Sequence, residues 1–169
     1  MNLKKIPFGT PEAFNVVIEI SAGSQDKYEY DPEIEAVKLD RVLYASYKFP
    51  ANYGFIPRTL AEDGDPADVI LLSTNPLFPG IVAEARAIGF MEMVDAGEAD
   101  NKIIAVPTSD PRFHDIVTLE DLPKHFTKEI QNFFETYKIL QNKTVEIKSF
   151  SGPDRAIEEI KKTSAAYTE

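Results

Sequence analysis

The chain contains no cysteine, which excludes a disulfide framework and thiolate chemistry of any kind. Histidine is almost as scarce: His114 and His125 lack metal-ligand spacing, and each is expected at the surface or as a cap. No apolar run approaches the roughly 20 residues that a membrane-spanning helix needs. Lys4 and Lys5 are followed by Ile6-Pro7-Phe8-Gly9 and not by the apolar stretch of a secretory signal, so a cytoplasmic protein is expected. Positive charge is also short, with 18 Lys and Arg against 28 Asp and Glu, for a formal net charge of −10. That sign opposes a nucleic-acid partner. A small phosphate ligand stays open, because bound metal ions can invert the charge of a pocket. Repeats and low-complexity segments are absent, and 169 residues are expected to form a single domain, residues 1–169, burying roughly two thirds of its unfolded surface.

What the chain does have is carboxylate, most concentrated at Asp63-Gly64-Asp65-Pro66-Ala67-Asp68. Gly64 and Pro66 oppose a continuous helix, and the apolar run Val69-Ile70-Leu71-Leu72 behind them reads as a buried strand. The acids therefore sit where a loop enters a sheet. Asp63 and Asp65 share parity in extended chain and point the same way. Like charges that close raise each other's pKa unless a cation lies between them. Oxygen-only ligands of this type suit Mg²⁺ or Mn²⁺ better than zinc. For an isolated Asp-x-Asp, a solvated acidic turn is the alternative.

Taken in order, Asn15–Ile20 reads as a strand with Val16, Ile18 and Ile20 on one side and Val17 and Glu19 on the other. Lys27–Tyr30 alternates again, with Lys27 and Glu29 on one face and Tyr28 and Tyr30 on the other. A third strand spans Val37–Tyr44, where Arg41 falls in the row of Val37, Leu39 and Leu43; a guanidinium there is expected to reach an anion. Phe49-Pro50-Ala51-Asn52-Tyr53-Gly54-Phe55-Ile56-Pro57 reads as bent strand or loop. Two strand-like runs surround Gly89, a candidate bulge, and a second acidic turn from Asp95 leads through Asp100 and Lys102 into Ile103–Val106. Thr118 to Asp121 resembles a capping box, with Pro123 expected in the first turn of a helix whose seam is Phe126, Ile130, Phe133 and Tyr137. Lys138 sits beside Tyr137 at its end. Thr144–Phe150 is a last strand, and Ala156, Ile157 and Ile160 open a short C-terminal helix. Many short strands followed by two helices predict an α+β domain built on a small closed or half-closed sheet.

The chemistry-bearing residues are carboxylates at Glu19, Glu29, Asp63, Asp65, Asp68, Asp95 and Asp100, cations at Lys27, Arg41, Lys102 and Lys138, and phenols at Tyr53 and Tyr137. They fall on strand faces and strand mouths in separate parts of the chain, the pattern of a site assembled on a rigid scaffold. Together they suit a phosphate ligand held through several Mg²⁺ ions, with lysines, arginine and phenols on the oxygens that the metal leaves free. Singly, each has a structural explanation: Glu19 as an exposed strand residue, Lys27 and Glu29 as a cross-strand pair, Arg41 covering apolar surface, Asp95 and Asp100 as turn formers, Tyr137 as core.

The segments Val17-Ile18-Glu19-Ile20, Lys27-Tyr28-Glu29, Asp40-Arg41, Phe49 to Pro57, Asp63 to Val69, Asp95 to Lys102 and Phe133 to Lys138 resemble, in order, the family I soluble inorganic pyrophosphatases. The likeness runs from about residue 15 to 150. It implies a five-stranded OB-like β-barrel with two main helices packed outside, and hydrolysis of inorganic diphosphate to two orthophosphates. It implies Mg²⁺ as cofactor, several ions per site, with Mn²⁺ or Zn²⁺ as substitutes. By the same likeness Asp63, Asp68, Asp95 and Asp100 are direct metal ligands, Glu19 and Glu29 hold a further ion largely through water, and Asp65 is the general base. Lys27, Arg41, Tyr53, Lys102, Tyr137 and Lys138 bind the phosphoryl groups, and the bacterial members imply a homohexamer. This sequence departs from its relatives at Phe49, where a tyrosine is common, and at Asn132 and Thr136, where some carry helix histidines. A non-catalytic OB-fold binding module is the rival reading, opposed by the net charge. A nucleotide-using Asp-x-Asp transferase needs a larger α/β domain, and an EF-hand fails on spacing.

Overall fold

The structure, a computed structural model, describes residues 3–168. Among the described residues, nine strands and two α-helices follow one another as β1 (Phe14–Ile20), β2 (Asp26–Asp31), β3 (Ala36–Val42), β4 (Asn52–Phe55), β5 (Asp68–Leu71), β6 (Val82–Asp95), β7 (Glu98–Ala99), β8 (Lys102–Pro107), α1 (Lys124–Thr136), β9 (Val145–Ser151) and α2 (Pro153–Ala166). Five of them close on themselves: β1 pairs β4, β4 pairs β5, β5 pairs β8, β8 pairs β6, and β6 returns to β1. All contacts in this ring are antiparallel except β5 with β8. The result is the expected small OB-like barrel in an α+β fold. β9 extends the sheet beyond β6, and β2 with β3 forms a separate two-stranded sheet.

The barrel wall is apolar on both faces, so its strands read as continuous runs in the sequence. Val69 and Leu71 of β5 join one cluster with Ala156 and Ile160 of α2. Ile70 and Leu72 join another with Ile130, Phe133, Phe134 and Tyr137 of α1 and its end. The seam read at Ile130, Phe133 and Tyr137 is buried as expected.

Tyr53 owes its place to its two neighbours. Asn52 is 1% exposed and fully satisfied: its Oδ1 accepts the Ala22 and Leu77 N–H groups at 3.0 and 2.8 Å, and its Nδ2 donates to the Leu71 carbonyl and Ser73 Oγ at 3.1 and 2.8 Å. At Gly54, any Cβ would lie 2.0 Å from the Val17 carbonyl oxygen, so only glycine lets β4 approach β1. The dense aromatic, Gly and Pro stretch thus packs β4 closely against β1.

Five expectations change. Val16 and Ile18 do not share a face with Ile20, because a register shift leaves Glu19 as an extra residue in β1 and sends Ile20 to the other cluster. The runs around Gly89 are a single 14-residue strand, β6, whose pairing with β8 shifts between Ala87 and Gly89 as a bulge would require. Asp121 accepts the Val117 and Thr118 N–H groups, yet this cap serves the short 3-10 turn Leu119–Asp121, and Pro123 precedes α1 instead of entering it. The C-terminal helix is 14 residues long; buried Glu159 and Thr163 interrupt its apolar pattern. The β3 row does not hold either: Asp40 is an extra residue between Leu39 and Arg41 in the pairing with β2, Leu39 is 50% exposed, and Arg41 pairs with Asp40.

Candidate functional site

A cavity of about 620 Å³ opens where the β4–β5 loop, the β6–β8 turn, the β2 strand and the end of α1 meet. Twelve of the thirteen chemistry-bearing residues line it; Arg41 alone does not. Pairing explains the convergence. Asp68 opens β5 directly beside Lys102 at the start of β8, in parallel register. Asp100 precedes Lys102, and Asp95 closes β6 across the same turn. Asp63 and Asp65 ride on the loop before β5, where Gly64 takes the left-handed φ of +91° that the turn demands. The Asp65 N–H donates to Asp63 Oδ1 at 3.0 Å. Glu19 is aimed by its bulge, and the Tyr30 N–H of β2 donates to its Oε1 at 2.7 Å.

Lys27, Lys102 and Lys138 are each held by carboxylates. Lys102, 1% exposed, lies 2.6 Å from Asp68, ion-pairs with Asp100, and sits 5.8 Å from the Tyr53 ring centroid. Lys138 pairs with Asp95 and lies 5.2 Å from the Tyr137 ring. Lys27 pairs with Glu29 and lies 3.5 Å from Asp40. Arg41 stands opposite Lys27 in the β2–β3 sheet with its guanidinium on Asp40.

The charges do not balance. Eight carboxyl groups and four lysines line the cavity, a formal excess of four negative charges when every acid is ionised. The effect shows in the acids. Burial, opposed by the Tyr30 hydrogen bond and reinforced by Asp68, pushes Glu19 up to about 8. Desolvation, then Asp63, Asp68, Glu29 and Asp100, raises Asp65. Burial would lower Lys102, but Asp68 and Asp100 outweigh it and hold the ammonium above the ordinary lysine range. Burial raises Tyr53 and Tyr137, the first helped by Asp68 and Asp100 and the second by Asp95, so both phenols stay protonated as donors. Among the described residues, no group of three or more acids or histidines is arranged to hold a metal ion, as ammonium groups occupy the gaps. Two features still fit a hard dication: the uncompensated charge, and the Asp95 Oδ1, a buried oxygen with no hydrogen-bond partner.

The Glu19 shift has a measurable consequence in metal-free protein. Its folded pKa of about 8 exceeds the ordinary 4.5, so between those values the folded state keeps a proton that the unfolded chain has lost. Stability therefore falls as pH rises through this window, by up to about 1.4 kcal/mol per pH unit, and Asp65 adds in the same direction. Urea midpoints measured from pH 5 to 8 should decline for the wild type and much less for Glu19→Gln. Parallel profiles would refute this.

Tyr28, Tyr30, Glu98 and Lys143 also line the cavity, and sequence pattern alone does not single them out. The one-residue register shift of this sheet falls on β3, where Asp40 is the extra residue, and residues from both faces of β2 line the cavity. Nothing in the local sequence marks Lys143. Phe49 is on the wall too, packed 5.9 Å from Tyr53 and 4.9 Å from Phe133 between ring centroids.

The family profile described as inorganic pyrophosphatase matches residues 16–168. The chain belongs to that family. It is 52% identical over 158 residues to the inorganic pyrophosphatase of Geobacillus stearothermophilus, covering 94% of each chain. It is 50% identical over 161 residues to soluble inorganic pyrophosphatase 5 of Arabidopsis thaliana, covering 95% of this chain and 74% of that one. The crystal structure of the Thermus thermophilus inorganic pyrophosphatase superposes with a TM-score of 0.95 at 46% identity, covering 99% of each chain. As an inorganic pyrophosphatase the protein is an enzyme that hydrolyses diphosphate, and the non-catalytic barrel module is not favoured. Among the described residues, no helix is long and apolar enough to cross a membrane.

Proposed function

We propose that diphosphate is hydrolysed by a water molecule whose proton goes to Asp65, with Mg²⁺ as the dication. The observation that carries this is the shared cavity, where acids, ammonium groups and phenols from separate strands face one volume of about 620 Å³. Asp63, Asp68, Asp95 and Asp100 would hold the ions directly, and Glu19 and Glu29 a further one largely through water. When bound, Mg²⁺ neutralises phosphate charge and acidifies the attacking water; Mn²⁺ or Zn²⁺ would substitute on the same oxygen donors.

The chain's own residues do the rest. Lys102 and Lys138 hold Asp68, Asp100 and Asp95 in the free protein. With those acids committed to a dication, the Lys102 and Lys138 ammonium groups would be free to donate to phosphate oxygens, so one set of side chains would serve both states. The Tyr53 and Tyr137 hydroxyls donate to the same oxygens. Lys27 joins from β2, and Arg41 does so by leaving Asp40. Asp65 has a raised pKa, which strengthens it as a base near neutrality. Phosphoryl transfer asks mainly for this positioning and charge balance.

A single domain, a cytoplasmic location and a homohexamer belong to the same reading. The two clusters share the barrel strands, which supports one domain. Exposed Phe78, Ile139 and Leu140 offer apolar surface that self-association would cover. Colorimetric phosphate release from diphosphate, run beside oligonucleotide retention on a filter, tests the reading. Mg²⁺-dependent release without retention is expected; retention without release would support the barrel binder instead.

A further inference from the structure

The segment 56–67, which carries Asp63 and Asp65, leaves the barrel after β4 and rejoins it at Asp68. Its base starts as an ordinary antiparallel rung, the Ile56 N–H donating to the Ala67 carbonyl at 2.9 Å. The return half of that rung runs through a side chain. The Ala67 N–H donates to Thr59 Oγ1 at 2.8 Å, and the Thr59 hydroxyl donates onward to the Ile56 carbonyl at 2.6 Å. Thr59 is 2% exposed, Ala67 4% and Ile56 0%, so solvent does not reach these groups. A hydroxyl can do this because it donates and accepts at once. Just before it, Arg58 holds a left-handed backbone at φ +59°, strain that persists only where the surroundings enforce it. Beyond it, the Leu60 N–H donates to the Thr163 carbonyl of α2 at 2.9 Å, and the Ala61 N–H donates to the Asp65 carbonyl at 2.8 Å. Residues 61–66, by contrast, are exposed or half-exposed.

We infer that Thr59 is a positioning residue: its hydroxyl closes the loop base and so sets where Asp63 and Asp65 stand relative to Asp68, which directly follows Ala67. This rests on the diphosphate-hydrolysing reading of the cavity. Thr59 does not line that cavity. Without its hydroxyl, the Ala67 N–H and the Ile56 carbonyl lose a partner in a dry environment, and the base of the acidic loop opens.

Thr59→Val keeps the shape and removes the hydroxyl, whereas Thr59→Ser keeps the hydroxyl. For each, circular dichroism, calorimetric Mg²⁺ binding to metal-free protein, and kcat and KM for diphosphate at saturating Mg²⁺ are measured. The valine variant is expected to fold, to bind Mg²⁺ about tenfold more weakly, and to lose about 10- to 100-fold in kcat through misplacement. KM for diphosphate should change less than about twofold, because Lys27, Lys102 and Lys138 are fixed by other elements. Thr59→Ser should restore both quantities to within about threefold of wild type. A folded valine variant with wild-type Mg²⁺ affinity and kcat overturns the inference, as does a serine variant equally impaired. Thr59→Ala is carried alongside. If valine and alanine variants both fail to fold while serine is normal, the hydroxyl serves folding alone and the inference fails. Absence of phosphate release by the wild type would sink the functional reading instead, while the Mg²⁺ affinities would still report on Thr59.

Discussion

Asp65→Asn is expected to lower kcat for diphosphate hydrolysis by about 10²- to 10⁴-fold, with calorimetric Mg²⁺ binding to the substrate-free protein left intact. The reason is a division of labour among acids that lie close together. Asp68, Asp95 and Asp100 are each engaged by a lysine, and Asp63 accepts the Asp65 N–H. No ion pair or side-chain hydrogen bond of the Asp65 carboxylate is found among the described residues, and its pKa is raised first by desolvation and then by Asp63, Asp68, Glu29 and Asp100. An unengaged carboxylate with a raised pKa is suited to take a proton; the engaged ones are suited to hold cations. Asparagine keeps the shape and removes the proton acceptor. Lost Mg²⁺ affinity with residual turnover would reverse the assignment and make Asp65 a ligand.

Lys102→Met separates binding of metal from catalysis. Removing the ammonium leaves Asp68 and Asp100 facing each other without a cation. In metal-free protein this costs about 2–4 kcal/mol, below the full cost of breaking a buried pair because both carboxylates keep 23% exposure. With the competing ammonium gone, Mg²⁺ should bind at least as tightly as in the wild type and restore most of the lost stability. Turnover should still fall, by about 10²-fold or more, since the donor proposed for the phosphate oxygens is missing. Urea unfolding with and without Mg²⁺, alongside steady-state kinetics, reads all three effects. Weaker Mg²⁺ binding in this variant would contradict the exchange of partners between lysine and dication.

The legible part of the site was local chemistry in a rigid setting. Asp63 to Asp68 could be read because glycine and proline mark the turn and the apolar run Val69 to Leu72 anchors its far end in a strand. Lys102 and Tyr137 could be read from their place at the threshold of a strand and the end of a seam. The illegible part comes from shifts of a single residue. The bulge at Glu19 is invisible in a pattern of alternating residues, although it aims that carboxylate and moves Ile20 to another cluster. Arg41 looked out of place in an apolar row; in the folded chain the extra residue Asp40 separates it from that row and is the anion it meets. Thr59 carried no signal, because its role depends on two backbone groups brought together only by β4 and β5.

The central claim is that dications turn an acid-lined pocket into one that attracts diphosphate. Calorimetric titration of methylenediphosphonate, which resists hydrolysis, into metal-free and Mg²⁺-loaded protein tests this most directly. Affinity should rise at least about 100-fold with Mg²⁺, from binding too weak to measure at neutral pH. Equal affinity in both states would mean that the lysines alone recruit the ligand, and the account would be wrong.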